Sequence, residues 1–482
     1  TATGSYNAAE AIVITANTSE AIQNDNTITV TLDTGDTVVL TAASAGTTLV
    51  GTYTVGAGNT SAGLTVSSFT IGTVADTAGN AMSSTTLPAS GAIFGTKTIV
   101  IDTAAPTGAI TYSAASPYKQ GATATVTATF TEALTTTPKI AISGVSSVAA
   151  TNMTSTGSAS VWTYAYTAPA GNGTDTFAFS VGTDASGNVV TAAPTSGATV
   201  TVDNTSPTIS AVTQVVTPST DTTPSYVFTT NEAGTITTNI AQGFSTSASA
   251  ANGNNTVTFN TLPEGTYADK TVTVTDAAGN ASSLTLTTFV VDTTSPTGAI
   301  TYSAASPYKQ GATATVTATF TEALTTTPKI AISGVSSVAA TNMTSTGSAS
   351  VWTYAYTAPA GNGTDTFAFS VGTDASGNVV TAAPTSGATV TVDNTSPTIS
   401  AVTQVVTPST DTTPSYVFTT NEAGTITTNI AQGFSTSASA ANGNNTVTFN
   451  TLPEGTYADK TVTVTDAAGN ASSLTLTTFV VD

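Results

Sequence analysis

The 482-residue chain has no cysteine, no histidine and no arginine, and only 7 lysines against 27 acidic residues. Without thiols there is no disulfide framework, no thiol nucleophile and no cysteine-type zinc site. Without imidazole there is no histidine base and no histidine-held metal. Seven scattered lysines cannot neutralise a run of phosphates, which argues against nucleic acid as a partner. No apolar run approaches the ~18 residues that a membrane-spanning helix needs. Charged side chains make up only 7% of the chain, against roughly a quarter in an ordinary domain. Even so, the formal net charge is −20.

What is present is mostly Thr, Ser, Ala, Gly and Val, with 39% hydrophobic residues. That content suffices for packed cores and does not match disorder, which couples low hydrophobicity to dense charge. Single cores stop growing near ~250–300 residues, so several small domains are expected. Residues 106–292 recur as 296–482 without one substitution. A weaker repeat lies inside: IDTAAPT (101–107), VDNTSPT (202–208), VDTTSPT (291–297) and VDNTSPT (392–398). Each phrase closes a β-rich run on Asp and follows it with a proline that a central strand excludes. These joints cut the chain into five units: 1–103, 104–204, 205–293, 294–394 and 395–482. The chain starts without Met and stops inside a recurring phrase, so it reads as an excerpt of something longer.

Within the units, short alternating runs are broken by turn residues: ATVTATF (124–130), KIAISGV (139–145), WTYAYTA (162–168), TFAFSVG (176–182) and ATVTVD (198–203). Alternation of Val, Ile, Phe or Tyr with Thr, Ala or Ser marks half-buried strands, and no run has a helical period. About seven strands in each ~95-residue unit predict an all-β tandem array of five Ig-like Greek-key sandwiches. Trp162 and Trp352 are expected between the sheets, and Tyr267 and Tyr457 at tyrosine corners.

Two acidic phrases recur once per unit. The first is a Glu just past an early strand: Glu20, Glu132, Glu232, Glu322 and Glu422. The second is Asp-x-x-Gly-Asn after a late strand, at Asp76 to Asn80, Asp184 to Asn188, Asp276 to Asn280, Asp374 to Asn378 and Asp466 to Asn470. In a sandwich with strands A to G, the entry to A, the B–C loop and the F–G loop share one pole. The joint acids Asp102, Asp203, Asp292 and Asp393 therefore each meet one Glu and one loop Asp. Unit one, with no incoming joint Asp, holds only a half-site at Glu20, Asp76 and Asn80.

Two unit charges ~4 Å apart repel by ~4 kcal/mol at an effective dielectric of 20. No arginine exists to relieve them, and the lysines are expected elsewhere. A hard divalent cation is the remedy, and Ca²⁺ accepts carboxylates, Asn oxygens and carbonyls in flexible geometry. Mg²⁺ suits the pattern less, since it keeps its water. The competing reading is a plain turn, because Asp and Asn bond their own backbone in loops. The remaining acids, among them Asp175 and Glu264, read as solvated turns and faces.

FTEALTTTPKIAISG, YTVGAGNTSAGLTVSSFTIGTVADTAGN and IVIDTAAPTGAI resemble the bacterial Ig-like repeats of giant cell-surface adhesins, the Bap-like and RTX-type biofilm adhesins. The resemblance covers essentially all five units. It implies β-sandwich modules strung end to end and Ca²⁺ at the joints, held by the joint Asp, the Glu and the Asp-x-x-Gly-Asn positions. It also implies an extracellular extender that holds a ligand-binding tip away from the cell. Departures are TNEAG, where the family often has Ser before the Glu, and the missing joint Asp of unit one.

The leading expectation is thus a non-catalytic calcium-stiffened rod, its partners being further Ig-like domains of the same longer chain. The alternative is a self-assembling surface layer, sheath or filament, with lateral or end-to-end contacts. Paired carboxylates can hydrolyse glycosides, but a turn acid repeated in every unit argues poorly for one catalytic pocket. Sugar binding through exposed aromatics such as Tyr112 or Tyr118 is a further alternative.

Overall fold

A computed structural model describes residues 1–89 and 93–482 of the chain. Among the described residues there are strands and turns but no helix. The apolar residues collect into five separate hydrophobic clusters that share no residue. A single globule of this mass would expose ~16,000 Å², and five globules of a fifth the mass ~25,000 Å². The chain exposes 22478 Å², nearer to five small bodies than to one. The architecture is a tandem series of β-sandwiches.

The second unit shows how the sequence builds each body. One sheet pairs Gly108–Tyr112, Thr123–Phe130, Val161–Thr167 and Thr154–Ser155, in the places of strands A, B, E and D. The facing sheet pairs Thr199–Val202, Gly173–Val181, Pro138–Ser143 and Val148–Asn152, in the places of G, F, C and C′. Strand B alternates strictly: Ala124, Val126, Ala128 and Phe130 are buried and Thr123, Thr125 and Thr129 are exposed. Every second residue of an extended chain faces the core, and threonine suits the wet face through its β-branch. Phe130 meets Phe179 of the other sheet with ring centroids 4.9 Å apart. This is the immunoglobulin arrangement of two Greek-key sheets.

The third unit keeps the plan with shorter strands. Its sheets are Ile209–Thr213, Ser225–Thr230 and Gly253–Thr258, facing Ser249–Ala250, Gly234–Thr238, Thr271–Thr275 and Ala281–Thr285. A separate pair, Gly265–Tyr267 with Phe289–Val291, closes it. The fourth and fifth units repeat the second and third. The first unit differs: a five-stranded antiparallel sheet faces three strands in which Gly4–Tyr6 runs parallel to Ile99–Asp102.

The aromatic expectations divide. Trp352 is buried in its cluster, while Trp162 packs half-buried against the corresponding one. Tyr267 donates its hydroxyl to Pro263 O, four residues upstream, at 2.7 Å, as a tyrosine corner requires. Tyr118 is buried, and Tyr112 lies edge-on to Phe177 with its hydroxyl on Gly197 O, so both serve packing and present no sugar platform.

Candidate metal centre

Strand topology brings the recurring acids together. Asp102 ends the strand Ile99–Asp102, Glu132 follows strand B and Asp184 follows strand F. Asp102, Glu132 and Asp184 each offer a carboxylate oxygen within 4.8 Å of the other two. The same holds for Asp203, Glu232 and Asp276, for Asp292, Glu322 and Asp374, and for Asp393, Glu422 and Asp466. In each cluster one acid comes from the preceding sandwich and two from the following one.

The Asp-x-x-Gly-Asn loop has one geometry throughout. Asp184 Oδ1 accepts the amides of Ser186 (2.8 Å) and Asn188 (2.9 Å), which closes the loop on itself. Gly187 sits at φ +89°, and its counterparts Gly79, Gly279, Gly377 and Gly469 are also left-handed. A side chain there would be strained, which explains why glycine stands at this position in every copy. The Asn side chain then does two things. Asn188 Nδ2 donates to Asp184 Oδ2 within the loop and to the carbonyl of Asp102 across the joint, both at 2.9 Å. Asn280, Asn378 and Asn470 make the same pair of bonds to Asp276 and Asp203, to Asp374 and Asp292, and to Asp466 and Asp393.

Electrostatics marks the glutamates as strained. Burial first, then the charges of Asp102 and Asp184, push Glu132 above the usual carboxylate range. Glu232 and Glu422 are raised in the same way by burial and their two aspartates. Their Oε1 atoms are buried and accept no hydrogen bond. An orphaned carboxylate oxygen facing two further carboxylates is an oxygen-only donor set lacking its counter-charge. It suits a hard cation and offers nothing to a soft one.

In the first unit the structure gathers less. Glu20 lies inside the strand Ala11–Ile22, where the pairing register slips between Asn17 and Ile22, and not past a strand end. With Asp76 and Asn80 it lines one open cleft. The Asn80 side chain, followed by its amide, holds Asp76 below the usual range. These three residues share a pole but do not form a three-acid cluster of the kind found at the joints.

Several residues escaped the sequence reading. Lys119 and Lys309, expected away from the acids, reach the joints: their Nζ atoms donate to the carbonyls of Gly279 (2.9 Å) and Gly469 (3.0 Å). Ser186 and Ser376 donate hydroxyls to Asp102 and Asp292 Oδ2, at 3.3 and 2.7 Å. Glu264 is exposed at a bend, as expected, but it is also engaged: its Oε2 accepts the Thr293 amide (3.3 Å) and the Thr294 hydroxyl (2.7 Å) in the linker. It also adds to the charges raising Glu322. Asp175 is corrected more strongly: it is fully buried and bonded to Ser146 and to the Tyr166 hydroxyl. The Asn of TNEAG has a local cause, since Asn231 Oδ1 accepts the Thr208 amide where Thr131 Oγ1 accepts that of Thr107. One signal lay in the sequence: DASGN and DAAGN alternate in step with the presence of YKQG in the preceding unit.

No protein-family model matches the chain, and no curated protein is similar to it. Among solved structures, the chain is similar to a tetra-tandem repeat in the extending region of a large adhesion protein. The identity is 17%, over 78% of this chain and 100% of that one, with a TM-score of 0.26. It is also similar to an I-band fragment of titin, I67–I69, at 12% identity over 61% of this chain and 99% of that one, with a TM-score of 0.28. A third likeness is to Escherichia coli alpha-2-macroglobulin activated by porcine elastase, at 9% identity over 99% and 52% of the two chains, with a TM-score of 0.17.

Proposed function

We propose that the chain is a non-catalytic extender of a bacterial cell-surface adhesin, whose Ig-like sandwiches are stiffened by Ca²⁺ at the joints. The division we adopt is 1–103, 104–204, 205–293, 294–394 and 395–482. The observation that carries the reading is the triad of carboxylates at each of four joints, each bridging two sandwiches and two of them holding an orphaned glutamate oxygen. The joint Asp, the Glu and the loop Asp would supply charged oxygens to the ion. Asn Oδ1 would complete the set, since the Asn nitrogen is already committed to the joint. The resemblance of the repeats to adhesin modules supports the same reading.

The physical effect follows from linkage. An ion bound by acids from two bodies binds the ordered joint and not the splayed one, so it shifts the population toward the ordered form. Such a chain is supple where calcium is scarce and stiff outside the cell. At ~3.3 Å per strand residue, five units would span ~200 Å. Small-angle scattering of the full chain, with calcium and with chelator, tests this. Calcium should lengthen and narrow the particle and raise its melting temperature. Superimposable profiles in the two conditions would remove the joint ion from the account.

A further inference from the structure

The four joints are not alike, and the difference lies beside the carboxylates. Strand pairing aligns Tyr118 of the second unit with Ser219 of the third: each bridges the last strand of its own unit, at Val202 and Val291. Each also accepts the amide of the following joint Asp, at Asp203 and Asp292. The next residue is Lys119 in one case and Thr220 in the other. Lys119 crosses to Gly279 O, in the loop between Asp276 and Asn280. Lys309 repeats the contact on Gly469. A threonine side chain is too short to make that reach.

The joint leaving the third unit is built oppositely. It has no lysine at this position, and Glu264 adds a fourth carboxylate on the linker beside Asp292, Glu322 and Asp374. Its loop carries Ser376 bonded to Asp292, where the lysine-type loop has Ala278. The clasped joint also has a second tie, a neutral one. Asn204 N donates to Asn172 Oδ1 at 2.6 Å, and Asn172 Nδ2 to Thr205 Oγ1 at 2.8 Å, in the linker itself.

We propose that the joints after the second, third and fourth units are of two kinds: lysine-clasped ones after the second and fourth, ordered in part without metal, and a carboxylate-rich one after the third that depends on the cation. An ammonium fixed on the loop adds positive charge beside the site and so opposes an incoming divalent ion. An added carboxylate does the reverse. Calcium should therefore fill the carboxylate-rich joint first and the clasped joint at higher concentration, so that stiffening proceeds in two steps. The calcium order rests on the function proposed above; the metal-free clasp does not.

The absence of cysteine makes a direct test clean. Dye pairs placed by Thr125→Cys with Thr256→Cys, and by Thr256→Cys with Thr315→Cys, report on the two joints in the otherwise intact chain. All three threonines are exposed strand positions. In chelator, single-molecule energy transfer should be narrower for the 125/256 pair, and Lys119→Met should widen it to match 256/315. On titration with calcium, the 256/315 midpoint should come first. Lys119→Met should lower the 125/256 midpoint about fivefold (about 1 kcal/mol), and Glu264→Gln should raise the 256/315 midpoint by a similar factor. Equal widths and equal midpoints, unmoved by either substitution, overturn the two-kind scheme. If neither pair responds to calcium, the ion is lost from the account, and the widths in chelator alone decide whether the clasp exists.

Discussion

At the residue scale, the difference between Asp175 and Tyr226 shows how burial prices a polar atom. Asp175 is fully buried, yet the amide and hydroxyl of Ser146 and the hydroxyl of Tyr166 satisfy it. Gly144, just before this site, packs so close that a β-carbon would lie 2.0 Å from Thr174 O. Tyr226 is equally buried, but its hydroxyl has no partner. Removing one member of a satisfied buried pair costs about 1–3 kcal/mol, whereas deleting an unpaired hydroxyl loses nothing of that kind. Tyr166→Phe with Tyr356→Phe should therefore lower the calorimetric transition of the second and fourth units by several degrees. Tyr226→Phe with Tyr416→Phe should leave that of the third and fifth unchanged or raised by up to about 1 kcal/mol. A loss from the second pair as large as from the first would contradict this. The alternation that revealed the strands contained the signal for Asp175: it lies two and four residues before Phe177 and Phe179, on the same inward face. Strand period, not residue type, decides that Asp175 faces inward.

At the scale of the element, the F–G loop is where local chemistry and joint geometry meet. Its form was legible because glycine and asparagine punctuate turns and because the phrase recurs in every unit. The recurring acids could be assigned to one pole because sandwich topology fixes which loops are neighbours. What could not be read is contact between bodies: Lys119 and Gly279 are 160 positions apart, and neither strand periodicity nor turn chemistry extends across a joint. The slipped register that takes Glu20 into a strand was equally hidden, since a bulge leaves the composition of a strand unaltered. The loop invites a sharp test. Asn188 ties the loop to itself and to Asp102, so Asn188→Ala should release both contacts without touching the core. Hydrogen exchange of the amides at 186–190 should rise about tenfold, as losing ~1.4 kcal/mol of local protection implies. Amides of the strand Thr123–Phe130 should keep their protection. Loss of protection in both places would make the Asn a residue of the fold and not of the joint.

For the whole molecule, the charge of −20 is concentrated: twelve of the 27 acids form the four clusters. The five small cores share no residue and so do not order one another by hydrophobic burial, which leaves the joints to polar contacts and to whatever neutralises the acids. One Ca²⁺ per cluster would bring the formal charge to about −12. Native mass spectrometry of the full chain in calcium should then show four tightly held ions. The variant Glu132→Gln with Asp184→Asn removes two of the three charges at the first joint and should hold three. Its five sandwiches should still melt as folded bodies, because neither residue belongs to a hydrophobic cluster. A chain that binds the same number of ions with and without the two substitutions would place calcium on scattered surface acids, and stiffness would then have to come from the asparagine and lysine bonds alone.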